Sequence, residues 1–365
     1  MRIAAHVLLA VSLSAIPAHA APRPAPTKVE VAAGIYLFRT ASYGDVGLDG
    51  NSVVVLSSDG VLVFDANGTP AAAAAVLAEI RKMTDQPVRF IVNSHWHWDH
   101  WYGTEVYRAA FPAVQIIAHE ATREMMMGPA LAFNQPGLDT QLPAYIASLE
   151  TSVTAGASAL PPPPDLGRLR QLVEDDRFFL EQKRAVRHTF PNVTFTDKLT
   201  LHFGGREVQV LHYDRAVTPG DAFLYLPEER IVVTGDLLVN PVSFALSCYP
   251  TGWLRTLERI DALDAAVIVP GHGDVRRDRE LLHATMTVFR ELLRQGKEAK
   301  RKGIEVDRAR EAVLPSLGAP MMTITRGDPA LRETFSIQLV DWYLHRVYEE
   351  LDGPLSNEIA AISKR

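Results

Sequence analysis

The chain has 365 residues, 47% of them hydrophobic, and is long enough to bury a large core as one domain with additions. Its 37 lysines and arginines against 43 aspartates and glutamates give a net charge of −6. This balance excludes the basic surface expected of a protein that binds nucleic acid or an anionic membrane. The single cysteine, Cys248, excludes an internal disulfide, and its apolar surroundings favour a structural thiol over a nucleophile.

The N-terminus is typical of an export signal. Arg2 precedes an apolar run over residues 7–16, and Ala18-His19-Ala20 provides small residues for cleavage. We therefore predict a signal peptide over residues 1–20, a flexible proline-containing lead-in over 21–28, and a periplasmic or secreted mature protein. The apolar run is too short to span a bilayer and no later stretch is long and uncharged enough, so no membrane anchor is expected.

Alternating apolar residues predict β-structure over residues 29–40, 52–56 and 61–65, with a hairpin turn at 57–60. An alanine-rich helix is predicted over 70–83, because Thr69 and Pro70 form a favourable N-cap and N1 pair. Residues 88–92 then form an apolar β-branched run bounded by Pro87, which predicts a buried strand. The chain after this strand carries the most informative motif of the sequence.

That motif places four potential metal ligands within six residues: His95, His97, Asp99 and His100. A single histidine on an apolar face is usually a core residue, but three with an aspartate at this spacing favour a metal site. Imidazole nitrogen and carboxylate oxygen suit Zn²⁺, which takes three or four such donors.

The pattern His-x-His-x-Asp-His after a buried strand resembles the metallo-β-lactamase superfamily. Two later segments, residues 233–236 and 269–273, strengthen the resemblance. It implies an α/β fold, the four-layer αβ/βα sandwich, and a zinc-dependent hydrolase of a small-molecule substrate. It also implies one metal held by His95, His97 and a later histidine, a second held by Asp99, His100 and His272, and Asp236 bridging the two.

One position departs from the family pattern. The segment Arg215-Ala216-Val217-Thr218-Pro219-Gly220-Asp221 has valine at position 217, where the family usually has the third histidine. Three outcomes follow: a weakened first site of His95, His97, Asp236 and water; a substitute ligand from His212 or Asp214; or a single metal at the second site. We favour the third, with partial occupancy of the first site.

The remaining chain predicts additions to the sandwich. Residues 142–153 and 166–187 are expected to be helical, within an insertion at about 128–188 that also contains Pro161-Pro162-Pro163-Pro164, a polyproline II segment. The sandwich domain is predicted over 29–303 and a C-terminal helical extension packed on it over 304–365. The insertion is either a lid over the substrate or a surface addition that only packs.

The sequence leaves the reaction open. Expected substrates are an ester, thioester, lactone, amide or phosphoester, with Asp99 and Asp236 as the residues that orient the nucleophile and transfer its proton. β-Lactam hydrolysis is one alternative, and a non-catalytic binding protein that lost turnover with the histidine at 217 is another. Trp96, Trp98 and Trp101 either line the substrate cavity or pack the metal loop. Oligomeric state is not predicted.

Overall fold

The computed structural model describes residues 24–45, 47–159 and 165–357. The predicted signal peptide, the first part of the lead-in and the Pro161–Pro164 segment lie outside the described residues. The lead-in is shorter than predicted, because the first strand already begins at Thr27. No helix in the described ranges is long and apolar enough to cross a membrane.

The described residues form two sheets, the first with its seven strands in chain order. Strands β1 to β4 are antiparallel, whereas β4 to β7 are parallel. The strands are β1 Thr27–Ala32, β2 Ile35–Arg39, β3 Ser52–Ser57, β4 Gly60–Phe64, β5 Val88–Val92, β6 Gln115–His119 and β7 Val193–Phe195. Parallel strands deliver the loops after β4, β5 and β6 to one edge of the sheet.

The second sheet has the order β12-β11-β10-β9-β8. Its hairpins β8–β9 and β9–β10 are antiparallel, and β11 and β12 are parallel. The strands are β8 Lys198–Phe203, β9 Arg206–Leu211, β10 Phe223–Leu226, β11 Ile231–Gly235 and β12 Val267–Pro270. The loops after β11 and β12 therefore also leave one edge together.

Alternating side chains divide the core into layers. Val53 and Val55 face the second sheet, whose Ile231 and Val233 join them in one buried cluster, whereas Val54 faces the outer helices. The outer layer of the first sheet consists of α1 Pro70–Met83 and α2 Thr104–Ala110; that of the second contains α7 Pro250–Asp261 and α8 Glu280–Arg301. The predicted four-layer αβ/βα sandwich is confirmed.

The insertion is helical over more of its length than predicted. The helix α3 Glu120–Met126 precedes it, and its own helices are α4 Pro129–Pro136, α5 Leu142–Ser158 and α6 Leu166–Ala185, with a π-helical turn Gly137–Gln141 between α4 and α5. Helix α4 was not predicted, because Pro136 and Gly137 lower helix propensity. Helix α5 extends beyond its predicted end, since Gly156 is buried within the helix and packing compensates for its low propensity.

The C-terminal helices pack on α8. They are α9 Val306–Val313, α10 Gly318–Thr325, α11 Pro329–Thr334 and α12 Trp342–Asp352, and a π-helical turn spans Phe335–Asp341. Tyr343 of α12 stacks on Phe289 of α8, with ring centroids 4.5 Å apart. The domain boundary at residues 303 and 304 stays a prediction, because these helices share one buried cluster with α7 and α8.

Candidate metal centre

Three strand ends meet at one edge of the sandwich. The loop after β5 carries His95, His97, Asp99 and His100, with Trp98–His100 in a 3₁₀ turn, while Asp236 follows β11 and His272 follows β12. Close backbone approach is needed here: a side chain at Gly271 would overlap Asp236 Oδ1. Residues far apart in sequence are therefore neighbours because parallel strands end side by side.

The predicted ligands form two groups. His95, His97 and Asp236 have one donor atom each within 4.8 Å of the others, and Asp99, His100 and His272 form a second such group. Asp236 lies between them: its Oδ2 is 3.6 Å from His95 Nε2 and 4.0 Å from His97 Nδ1, and its Oδ1 is 3.3 Å from His100 Nε2 and 3.4 Å from His272 Nε2. Each carboxylate oxygen thus faces a different group.

The three residues of the second group are also in contact with one another through Asp99. Asp99 Oδ2 lies 3.3 Å from His100 Nε2 and 3.1 Å from His272 Nε2. The His272 loop is fixed by Asn51, whose backbone N–H donates to Gly271 O at 2.7 Å and whose side chain donates to Pro270 O and Gly273 O.

Asp65, which the sequence analysis did not select, orients the histidines from behind. Its Oδ2 lies 2.7 Å from His100 Nδ1, and the carboxylate accepts from Ser94 N and Ser94 Oγ at 2.7 Å each. Ser94 Oγ is in turn 2.8 Å from His95 Nδ1. These contacts occupy the Nδ1 atoms and leave Nε2 of both rings for the centre. Its place just after β4, at the edge where β5 delivers the ligands, is the signal that could have identified it.

The donor set fits a metal. His95 Nε2, His100 Nε2 and Asp236 Oδ1 are buried and have no hydrogen-bond partner. Buried polar atoms without partners are costly, and these three, which lack one among the described residues, lie within the two ligand groups, where a bound cation would satisfy them. Two imidazoles with a carboxylate in one group, and two imidazoles with a carboxylate in the other, match the donors of Zn²⁺.

The pKa shifts of these side chains indicate which of them carry a charge before a cation binds. Burial opposes ionisation of Asp99 and Asp236, but His100 and His272 outweigh it and hold the pKa of both carboxyls well below the usual range. Burial and the neighbouring His100 hold the pKa of His95 well below its usual value, so its ring is neutral. The pKa of His100 and His272 is raised by the carboxylates despite burial, so a proton competes there with a cation.

Position 217 provides no ligand. Val217 is buried in the cluster between the second sheet and its outer helices, and its carbonyl accepts from Ser247 Oγ at 3.0 Å. His212 Nδ1 lies 2.9 Å from Asp221 O, and its ring lies 4.0 Å from that of His119. Asp214 forms an ion pair with Arg255. Neither predicted substitute belongs to the two ligand groups.

Two neighbouring cavities lie beside the metal loop and share part of their lining. The inner one, about 250 Å³, is lined by His97, Asp99, Asp236 and His272 on one side and by Trp96, Val239, Val242 and Phe244 on the other. The outer one, about 930 Å³, lies between the insertion and the start of α12. Trp98, Phe133, Asn134 and Leu246 line both.

The tryptophans of the motif divide between the two predicted roles. Trp96 and Trp101 are buried with Met125 and Met126, so both pack the loop against the insertion, and Trp96 also borders the inner cavity. Trp98 faces the cavities. Cys248 is fully buried and burial raises the pKa of its thiol, which fits the predicted structural role.

The family model of the metallo-β-lactamase superfamily matches residues 45–272, well over half of the chain. The chain belongs to this superfamily. The match includes every predicted ligand and the whole insertion, confirms the predicted family, and supports the predicted class of metal-dependent hydrolase.

Individual relatives are more distant. A linear primary-alkylsulfatase of Pseudomonas sp. (strain ATCC 19151) is 24% identical over 263 residues, which cover 66% of this chain and 44% of the relative. The chain thus spans less than half the length of that relative.

Two solved structures share the fold. A metallo-β-lactamase from Pontibacter korlensis aligns with TM-score 0.52 at 17% identity, covering 73% of this chain and 99% of its own. A double mutant of the sec-alkyl sulfatase PisA1 aligns with TM-score 0.60 at 15% identity, covering 92% of this chain and 51% of its own. At these identities the likeness shows the fold.

Proposed function

We propose that this superfamily member is an exported, zinc-dependent hydrolase that cleaves a sulfate ester of an amphiphile with an apolar chain. The observation that carries the proposal is the cavity pair: a small inner cavity at the ligand groups shares four lining residues with a large outer cavity whose wall is mainly apolar. A compact anionic ester fits the inner cavity, and an alkyl chain fits the outer one.

The apolar wall comes from two parts of the chain. Phe133, Leu138 and Phe179 belong to the insertion, and Trp342 begins α12. Burial of an alkyl chain against such a wall contributes roughly 0.8 kcal/mol per methylene group. Binding should therefore strengthen with chain length, which is a property expected of an enzyme for amphiphiles and not of one for compact polar esters.

The two ligand groups would hold up to two zinc ions through His95, His97 and Asp236, and through Asp99, His100 and His272. The bound metal would supply Lewis-acid polarisation of the ester and a nucleophilic water near neutral pH. Asp236 holds its two oxygens toward both groups. Asp99, which lines the inner cavity, is placed to hold a water by hydrogen bonding and to accept its proton.

The curated relative supports a sulfate ester, since its name describes an alkylsulfatase. Sulfate esters were absent from the substrates expected from the sequence, because the ligand motif specifies the metal centre and not the acyl, phosphoryl or sulfuryl group. Export follows from residues 1–20 alone. A periplasmic or secreted location remains part of the proposal.

The test uses the chain from Ala21 onward, loaded with zinc. Release of inorganic sulfate is measured from butyl, octyl and dodecyl sulfate, with phenyl acetate, a phosphodiester and a β-lactam as competing substrate classes. We expect kcat/KM to rise with alkyl chain length and the other classes to be poor substrates. The Asp236→Asn variant controls for contaminating activity.

Other outcomes decide between the alternatives. Preferential turnover of the β-lactam or the carboxylic ester would replace the sulfatase proposal with the corresponding reaction. Bound zinc without turnover of any class, together with saturable binding of dodecyl sulfate, would favour the non-catalytic binding protein. Absence of bound metal would contradict the hydrolase proposal as a whole.

A further inference from the structure

Lys183 of α6 lies beside the metal loop with its Nζ atom buried, and this burial lowers the pKa of Lys183 to about 7, although the Asp99 and Asp49 carboxylates oppose the shift. Its Nζ lies 3.6 Å from the ring centroid of Trp98, 4.1 Å from that of Tyr102 and 5.8 Å from that of Phe179. Burial raises the pKa of Tyr102 to about 12, so its ring is a neutral partner. The ammonium group is thus held by aromatic faces and not by a carboxylate.

The Nζ atom is buried and has no hydrogen-bond partner among the described residues. A lysine ammonium carries three donors, and leaving them unmet in a buried place is costly. The aromatic faces offset part of this cost only, because they accept no conventional hydrogen bond. The amino group of Lys183 therefore lacks a hydrogen-bond acceptor among the described residues.

Lys183 lines the outer cavity and not the inner one. Rotation about the terminal bonds of its flexible stem can bring Nζ to the cavity wall. The other charged groups of this wall already have partners: Asp341 lies 3.6 Å from His345 Nδ1 and 3.7 Å from an Arg310 nitrogen. Lys183 is the cation of this wall that can still receive an anion.

We infer that Lys183 binds an anionic group on the part of the ligand that lies in the outer cavity, remote from the metal centre. The inference rests on the proposed function for the placement of the scissile ester in the inner cavity. The favoured substrate is then an amphiphile with an anion at each end: a sulfate ester at the metal centre and a carboxylate or second sulfate along or at the end of the chain.

Two variants and a control test this inference. Lys183→Met keeps the length of the stem and removes the charge, and its apolar end suits the aromatic surroundings, so it should fold; Lys183→Arg retains the cation. Lys198→Met removes an exposed lysine at the start of β8 and controls for the loss of one charge. Melting temperatures of all variants verify folding.

The binding measurement needs no metal. Titration calorimetry compares dodecanoate with dodecanol, which has the same chain and no charge, on the metal-free protein. We expect dodecanoate to bind about tenfold more tightly in the wild type, in Lys198→Met and, in part, in Lys183→Arg, and the preference to vanish in Lys183→Met. An equal preference in wild type and Lys183→Met overturns the inference.

The kinetic measurement compares dodecyl sulfate with its analogue carrying a terminal carboxylate. We expect about a tenfold lower KM for the carboxylated substrate in the wild type and in Lys198→Met, and loss of this difference in Lys183→Met. If neither compound is hydrolysed, the proposed function fails while the binding result still decides the role of Lys183. Hydrolysis without a carboxylate preference contradicts the inference alone.

Discussion

The two ligand groups share Asp236 but differ in how the fold supports them. In the second group His100 is fully buried and tied to Asp65, and the His272 loop is held by Asn51. In the first group the Nε2 atom of His97 has a 3.5 Å contact with Ser247 Oγ, and Val217 leaves one family ligand absent. Metal affinity should therefore differ between the groups, with the second the stronger.

The largest effect is expected from Asp236→Asn, because this substitution weakens metal binding by both groups and so removes the difference between them. The amide loses the negative charge between them, so we expect near-complete loss of bound zinc and a fall in kcat/KM of about 10³-fold or more. Elemental analysis and the sulfate-release assay measure both. Asp214→Asn, at a surface ion pair with Arg255, should leave both unchanged; retention of the wild-type zinc content in Asp236→Asn would refute the bridging role.

His100→Ala and His95→Ala separate the groups. The His100→Ala variant should lose the zinc ion that the second group binds. Its free energy of unfolding should fall by about 1–3 kcal/mol, since Asp65 stays buried with its partner removed. His95→Ala should keep about one equivalent of zinc. Elemental analysis and denaturant unfolding provide the two measurements, and loss of all zinc in His95→Ala with retention in His100→Ala would reverse the ranking of the groups.

Val217→His sharpens the comparison by restoring the family ligand. We expect bound zinc to rise from about one to two equivalents, with hydrolysis increased if the second ion positions the nucleophile. Val217→Ala serves as the matched control, because it opens the same buried position without adding a donor. More zinc without any hydrolysis would favour the non-catalytic alternative; unchanged zinc content would show that position 217 does not limit the first group.

The smallest effect is a difference in pH dependence. His100 and His272 have raised pKa values, so in the metal-free protein they carry protons that zinc must displace, and the apparent affinity of the second group should rise by up to about tenfold per pH unit per proton. His95 has a lowered pKa and is already neutral. In zinc titrations between pH 6 and 8, His95→Ala should show the steep dependence and His100→Ala the shallow one.

Local signals predicted much of this fold. The N-cap of α1 is one case: Thr69 accepts from Ala72 N, as expected from the Thr-Pro pair. The strands before the metal loop also occur where alternation and turn residues placed them. Prediction was poorer where packing overrides local preference, as at α4 with its internal Pro136 and at the buried Gly156 of α5.

The sequence by itself determined the ligand motif, the strands that end at it and the absence of a ligand side chain at position 217. These features depend on residue type and on spacing along a few residues, which the chain carries directly. Only the tertiary structure decided that Asp65 supports His100, that His212 and Asp214 point elsewhere, and that Lys183 faces an apolar cavity without an acceptor. The contacts of Asp65 with His100 and of Lys183 with Trp98 join residues 35 and 85 positions apart, because packing of the two sheets and the insertion, and not local conformational preference, brings them together.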